Sequence, residues 1–131
     1  MKLGDLYDAR NSAPLVKTDL DVFTSGAIDL VEEAHRTKFG ECPALTIKLD
    51  AESAALYEEG DTHAVLLMSS KQLREVVAKR AAAAGRKSIV GGDWIKVGVV
   101  GHKETANGRP MNVWAVPEYE AGDGVDTEAW G

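Results

Sequence analysis

One face of a predicted β-strand combines an aromatic ring with positive charge. Residues 91–119 read as one long β-hairpin, because two runs rich in Val, Ile and Trp flank Ala106-Asn107-Gly108, and Asn-Gly between alternating apolar residues is a strong hairpin signal. Alternation places Ile95, Val97 and Val99 on one face of the first arm, which predicts core. The opposite face carries Trp94, Lys96, Val100 and His102. Such a face can bind a ligand through its aromatic surface and its charge.

No comparable arrangement supports catalysis. His35, His63 and His102 lie far apart in the sequence and lack the spacing of metal ligands. Gly91-Gly92 is not followed by the Lys-Ser/Thr pair and helix of a phosphate-binding loop. The carboxylates of Glu32-Glu33 and Glu58-Glu59 are neighbours in predicted loops, where such pairs are solvated. The sequence therefore predicts a protein that is not an enzyme and that holds neither a metal nor another cofactor.

Length and composition favour a single soluble domain. The chain has 131 residues, of which 44% are hydrophobic, enough for one compact core. Cys42 is the one cysteine, so no internal disulfide can form. No apolar run approaches the length of about 18 residues that indicates a transmembrane helix, and Asp5 and Asp8 interrupt the start of any signal peptide. We therefore expect a cytoplasmic protein without membrane contact.

Charge is divided unevenly along the chain. Residues 1–70 carry 6 Lys/Arg against 13 Asp/Glu, residues 71–117 carry 9 against 3, and residues 118–131 carry none against 5. The net charge of −6 argues against a protein that coats duplex DNA through its overall field. The basic middle third could still attract phosphates locally, although an ordinary solvated surface would have the same composition.

The remaining elements follow from periodicity and turn signals. Residues 1–21 predict an N-terminal arm, and residues 22–31 predict a first strand in which Gly26 marks a bulge or bend. Residues 32–40 are either a loop or the far end of a long hairpin, and strands are expected at 43–50 and 63–68. A helix is expected from Ser69 or Ser70 to Gly85, with Gln72 completing a capping box. Its apolar stripe is Leu73, Val76, Val77, Ala81 and Ala84.

The resulting order is β-β-β-α-β-β, which predicts a mainly β fold with one helix. Five strands, one helix after the third strand and a long final hairpin match the oligonucleotide/oligosaccharide-binding (OB) barrel. An α+β sandwich would give the same order. The barrel is expected to span residues 22–119, between the arm at 1–21 and a flexible acidic tail at 120–131.

Several short motifs carry a family resemblance. They are Leu73-Arg74, Ala84-Gly85, Gly91-Gly92, Trp114 and Tyr119, with Gly26-Ala27-Ile28 and Lys38-Phe39-Gly40 near the first strand. Over about residues 22–120 the sequence resembles small phage-encoded single-stranded DNA-binding proteins of the OB type. It differs from them in a shorter loop in the last hairpin and a longer N-terminal arm. The resemblance implies binding of single-stranded DNA without sequence readout, in phage replication or recombination, in the host-cell cytoplasm.

Such binding needs flat aromatic faces for the bases and Lys or Arg for the phosphates. The candidates in the last hairpin are Trp94, Lys96, His102, Lys103, Arg109 and Trp114, and those after the first strand are Arg36, Lys38 and Phe39. Packing in the core is the competing interpretation for the two tryptophans.

The acidic tail resembles the partner-recruiting tails of bacterial single-stranded DNA-binding proteins. Asp126, Glu128 and Trp130 are its candidate contacts with a replication or recombination protein, and its acids would compete with DNA for the basic groove. A solubilising terminus is the competing interpretation. The alternative function is a protein-binding module, which docks on a host protein or assembles into a homo-oligomer without binding nucleic acid.

Overall fold

Five antiparallel strands form one sheet in the computed structural model, which describes residues 13–37, 40–104, 106, 108 and 110–122, without the side chains of residues 36 and 37. The strands are β1 (Phe23–Thr37), β2 (Gly40–Leu49), β3 (His63–Leu67), β4 (Trp94–Glu104) and β5 (Pro110–Glu120). Their order across the sheet is β3-β2-β1-β4-β5. Helix α1 (Ala51–Ala54) follows β2, and helix α2 (Lys71–Ala83) follows β3.

The predicted mainly β fold is confirmed, with five strands and the long helix between the third and fourth strands. The short α1 adds one helical turn to the predicted order. Strands β3 and β5 are the two edges of the sheet, and the sheet is not closed by pairing between them in the part of the chain that the structure describes.

β1 is longer than the predicted strand. It extends to Thr37 and pairs with β2 as far as Gly40, so residues 32–37 are the far end of a hairpin and not a loop. The register shifts in this pair fall between Ile28 and Leu30 and between Glu32 and His35. Gly26 is therefore not the bulge. A Cβ at Gly26 would overlap the carbonyl oxygen of Lys48, so glycine is required there by close approach of two strands.

The core lies between the sheet and α2. Leu73, Val77 and Ala81 are the buried positions of α2, and they confirm the predicted apolar stripe. They pack in one cluster with side chains from every strand, among them Ile28, Leu45, Ile47, Leu66, Ile95, Val97 and Val116. Val16, from the predicted N-terminal arm, belongs to the same cluster.

Capping interactions explain where α2 begins and ends. Ser70 is the N-cap, because its hydroxyl accepts a hydrogen bond from the Leu73 N–H at 3.3 Å. Gly85 follows the C-cap with φ +91°, and the Arg86 N–H donates to the Ala81 carbonyl at 2.9 Å, as in a Schellman motif. The predicted capping box is wrong, since the Gln72 side chain turns away from the helix end and binds β5.

Both edges of the sheet have hydrogen-bond partners. On β3, the Val65 N–H donates to the Pro14 carbonyl at 2.8 Å, and the Val16 N–H donates to the Val65 carbonyl at 2.9 Å. On β5, the Gln72 amide nitrogen donates to the Trp114 carbonyl, and the Trp114 N–H donates to the Gln72 amide oxygen, both at 2.8 Å. Gln72 thus takes the place of a neighbouring strand at this point of β5.

The predicted final hairpin is confirmed. β4 ends at Glu104 and β5 begins at Pro110, and Gly108 has φ +74° in the connection. Two register shifts interrupt the pairing, one on β4 at Val100 and one on β5 between Ala115 and Glu118. Among the described residues, neither helix has the length and the apolar composition that crossing a membrane requires.

Candidate nucleic-acid interface

A row of side chains crosses all five strands on the outer face of the sheet. In the pairing register, His63 faces Lys48, Lys48 faces Ala27, Ala27 faces Trp94, and Trp94 faces Glu120. Directly paired residues of antiparallel strands have their side chains on the same face. The neighbouring Ile47 and Ile95 are fully buried, so this row faces away from the core.

A second aromatic ring lies beside β4 four residues after Trp94. Phe23 faces Gly98, and Lys96 faces both Ser25 and Glu118. The Lys96 ammonium is 5.9 Å from the centre of the Phe23 ring, within the range of a cation–π contact. We call the side chains Phe23, Lys48, His63, Trp94 and Lys96 the outer patch.

The outer patch has the chemistry needed to hold an unpaired base. Trp94 and Phe23 are half-buried, so each residue keeps part of its surface accessible, while Lys48 is exposed. Ala27, between Lys48 and Trp94, is small and leaves space beside the indole. Stacking on a ring and an ionic contact with a phosphate are the two interactions that this geometry offers.

Acidic side chains bound the outer patch on two sides. Asp29 Oδ2 lies 3.2 Å from His63 Nε2, and Glu118 Oε2 lies 3.8 Å from the Lys96 ammonium. Glu118 and Glu120 are both exposed on β5. The local field is therefore mixed in sign, and attraction of phosphates by this surface should be modest and sensitive to salt.

A buried carboxylate fixes the backbone from which Trp94 projects. Asp93 is fully buried and accepts from the Arg86 guanidinium at 2.7 Å, the Tyr119 hydroxyl at 2.7 Å and the Gly122 N–H at 2.8 Å. Burial by itself raises the pKa of Asp93, but these hydrogen bonds and the charge of Arg86 outweigh it and hold the pKa below its ordinary value of 3.8. The carboxylate is ionised at neutral pH and paired on several sides.

A second carboxylate supports β1 beside the outer patch. The Ser25 hydroxyl donates to Asp50 Oδ2 at 2.6 Å, and the Ser53 N–H at the start of α1 donates to Asp50 Oδ1 at 3.0 Å. Partial burial raises the pKa of Asp50, and the hydrogen bonds from Ser25 and Ser53 lower it further than burial raises it. Asp50 thereby joins α1 to the strand that carries Phe23 and Ala27.

The predicted shared face of Trp94, Lys96, Val100 and His102 is only partly correct. The bulge at Val100 shifts the alternation, so that Gly101 pairs with Val113 and His102 pairs with Asn112. Asn112 lies two residues before Trp114 on the same face of β5, which is the face that Val99 shares. His102 therefore lies on the opposite face from Trp94 and Lys96, and Lys103 is exposed beyond it.

Trp114 lies apart from the outer patch. It pairs with the buried Val99 and packs against the core cluster from its half-buried position, in agreement with the competing interpretation of this residue. Its accessible part lines a groove between α2 and β5. The two tryptophans that the sequence placed in one interface therefore lie on different faces.

The other candidates are divided between the described and undescribed parts of the chain. The backbone of Arg36 pairs with Glu41 near the end of β1. Lys38, Phe39, Arg109, Asp126, Glu128 and Trp130 lie outside the described residues. β1 and β4 pair only from Phe23 to Ala27 and run antiparallel, so the two hairpins leave this shared segment in opposite directions, with the outer patch between them.

Sequence reasoning missed three members of the outer patch. Phe23, Lys48 and His63 lie on three different strands, and only the pairing register brings them to Trp94. Alternation within each predicted strand gives the face of a residue relative to its own neighbours but not its partner across the sheet. Within the described residues no group of three or more His, Cys, Asp and Glu side chains is placed to hold a metal ion.

Comparisons of the chain with protein-family models, with curated proteins and with solved structures found no match.

Proposed function

We propose that this protein binds single-stranded DNA without sequence readout, through the outer patch. The observation that carries the proposal is the register that sets Trp94 beside Ala27 and Lys48, with Lys96 and Phe23 in the adjoining rows. Two aromatic rings with two lysines on one sheet face are the parts that non-specific single-strand binding uses.

The fold supports the same proposal by analogy. β1 pairs with both β2 and β4, and a helix joins β3 to β4. This is the strand arrangement of an OB barrel, a partly open Greek-key design that binds oligonucleotides on one sheet face and in the loops after its first and fourth strands. We propose that the sheet is such a barrel, and that Lys38, Phe39 and Arg109 in those two loops extend the interface. The resemblance to phage single-stranded DNA-binding proteins supports a role in phage replication or recombination.

The proposed binding mode explains why no base would be preferred. A base stacks on the accessible part of the Trp94 indole, an interaction worth about 1 to 3 kcal/mol that every base can make. Lys48 and Lys96 contact the phosphates on either side. None of these groups reads the hydrogen-bonding edge of a base.

Titration of a fluorescently labelled thymidine oligonucleotide, followed by anisotropy, tests the proposal. Loss of one stacking contact in Trp94→Ala should weaken binding by about 5-fold to 150-fold, the equivalent of about 1 to 3 kcal/mol. Lys96→Glu should also weaken binding. The matched control is Lys71→Glu. Lys71 is 83% exposed on α2, so this substitution makes the same charge change away from the outer patch.

Two results would overturn the proposal. One is the absence of saturable binding at low salt by the wild-type chain. The other is equal weakening by Lys96→Glu and Lys71→Glu, which would mean that only total charge matters. In either case the outer patch would be better explained as a contact surface for another protein, with Trp94 as its anchor.

A further inference from the structure

A groove between α2 and β5 lies on a different face from the outer patch. It has a volume of about 440 Å³ and is lined by Val76, Lys79, Arg80, Ala83, Trp114, Ala115, Val116 and Pro117. Most of this lining is apolar, with two cations. A second hollow continues it toward the end of β5 and shares Arg80, Ala83 and Pro117 with it.

The charged side chains that line this groove are both positive. Lys79 and Arg80 are exposed on α2, and none of the described residues that line the groove itself is acidic. Glu118 and Glu120 line only the second hollow. A ligand that combines an apolar anchor with negative charge would therefore match the groove, whereas a basic ligand would be repelled.

The chain beyond β5 begins directly after Glu120, which lines the second hollow. Gly122 is held at two points, because its N–H donates to Asp93 and its carbonyl accepts from Arg86 at 3.0 Å. The nine residues that follow, DGVDTEAWG, contain three acids, no base, and the apolar side chains of Val125 and Trp130. We call residues 123–131 the acidic segment.

We propose that the acidic segment folds back along β5 and docks in the α2–β5 groove of its own chain. Trp130 follows Gly122 by eight residues and Trp114 precedes it by eight, so a return along β5 brings the two indoles together. Nine extended residues span about 30 Å, and the 13 residues of α2 span about 20 Å, so the segment is long enough. Asp126 and Glu128 then pass Lys79 and Arg80.

This docking does not depend on nucleic-acid binding, because the groove and the outer patch use different faces and different tryptophans. Failure of one proposal leaves the other standing. The experiment for the groove uses no nucleic acid for the same reason.

The test is nitrogen-15 NMR of the full chain, comparing wild type with Trp130→Ala. Removal of the anchor should shift the Trp114 indole N–H signal and the amide signals of Val76 and Ala83, at all protein concentrations. The Trp94 indole signal is the internal control and should not move. Lys79→Glu should produce the same shifts, and Lys79→Glu combined with Glu128→Lys should restore the wild-type positions.

Two outcomes would overturn intrachain docking. Unchanged groove signals in Trp130→Ala would mean that the acidic segment does not occupy the groove. Shifts that grow with protein concentration would mean that the segment docks on a second copy of the chain. A changed Trp94 signal would reveal a general change in fold. In that case the double variant Lys79→Glu/Glu128→Lys tests intrachain docking instead. Its failure to restore the groove signals would also contradict the proposal.

Discussion

Single buried residues hold the outer patch in place, although they are not part of it. Trp94 can act as a stacking platform only if its backbone is rigid, and that backbone is fixed by the residue before it. Asp93 is bonded to Arg86, to Tyr119 and to the Gly122 N–H, so a loop, two strands and the residues after β5 meet at one carboxylate. Its Arg86 partner is itself only 9% exposed, and loss of the carboxylate leaves a buried charge.

Asp93→Asn should therefore destabilise the protein strongly at neutral pH. Removal of one partner from a buried ion pair costs about 3 to 5 kcal/mol, measurable by urea denaturation. The folded pKa of Asp93 is lowered, so its stabilising contribution is complete above the unfolded value of about 3.9 and is lost as the pH falls through the lower folded value. The difference between wild type and variant should shrink in that acidic range.

Glu75→Gln is the control for this prediction, because Glu75 is exposed and forms a surface ion pair with Lys71. Its effect on the free energy of unfolding should stay below about 0.5 kcal/mol. A difference between Asp93→Asn and wild type that is constant from neutral to strongly acidic pH would contradict the assigned role of the ionised carboxylate.

Gly26→Ala tests the close approach of β1 and β2. The added methyl would overlap the Lys48 carbonyl oxygen, and forcing the strands apart should cost about 1 to 3 kcal/mol. Gly101→Ala is the matched control in β4, since nothing lies within 4 Å of its added Cβ. The melting temperature of Gly26→Ala should be clearly lower than that of Gly101→Ala. Equal melting temperatures would contradict the packing argument.

At the scale of the elements, the features that depend on a few neighbouring residues were predicted correctly from the sequence. The final hairpin, the apolar stripe of α2 and its end at Gly85 were predictable, because alternation, Asn-Gly and a helix-terminating glycine act within a few residues. The bulges were not, since the shift at Val100 arises from pairing with β5 and carries no signal in its own sequence. This shift alone moved His102 out of the predicted face. Gln72 was misassigned because a capping box and a bond to a distant strand look the same in sequence.

Gln72→Ala should loosen the contact between α2 and β5. It removes two hydrogen bonds from the partly buried backbone of Trp114, for which we expect a loss of about 1 to 3 kcal/mol in unfolding free energy. Gln72→Glu should lie between wild type and alanine, because a carboxylate can accept from the Trp114 N–H but cannot donate to its carbonyl. Hydrogen exchange at the Trp114 amide measures the effect directly. Exchange that is equally slow in all three proteins would exclude Gln72 as its partner.

For the whole molecule, the structure separates two aromatic surfaces that the sequence placed in one. The outer patch brings Trp94 together with residues of three other strands, and the α2–β5 groove brings Trp114 together with a helix. Net charge and composition give no indication of this division, because Lys96 of the outer patch and the two groove cations, Lys79 and Arg80, all come from the basic segment at 71–117, and both sites lie near acids of β5. Under the two proposals, a nucleic-acid strand and the acidic segment would occupy different faces and would be bound at the same time.

The proposed DNA binding predicts a salt dependence that identifies the lysines in contact with phosphates. Each phosphate contact on a single strand contributes about 0.7 to the slope of log K against log salt. Lys48→Gln combined with Lys96→Gln should thus lower the slope by about 1.4, as measured by anisotropy titrations over a range of salt concentrations. Lys71→Gln combined with Lys79→Gln removes the same charge from α2 and should leave the slope nearly unchanged. Equal slopes for the two double variants would contradict the assignment of phosphates to the outer patch.

The side-chain amide of Gln72 should also affect the solubility of this protein at high concentration. An uncovered edge strand is a template on which other chains can add, and fibres grow by repeating that step. Within the described residues, one edge is covered by residues 14–16, and the side chain of Gln72 covers the other edge at Trp114. We therefore expect the Gln72 side chain to reduce aggregation by blocking the addition of a strand to β5. Its loss should be detected first as turbidity on concentrating the protein, before any measurable loss of binding.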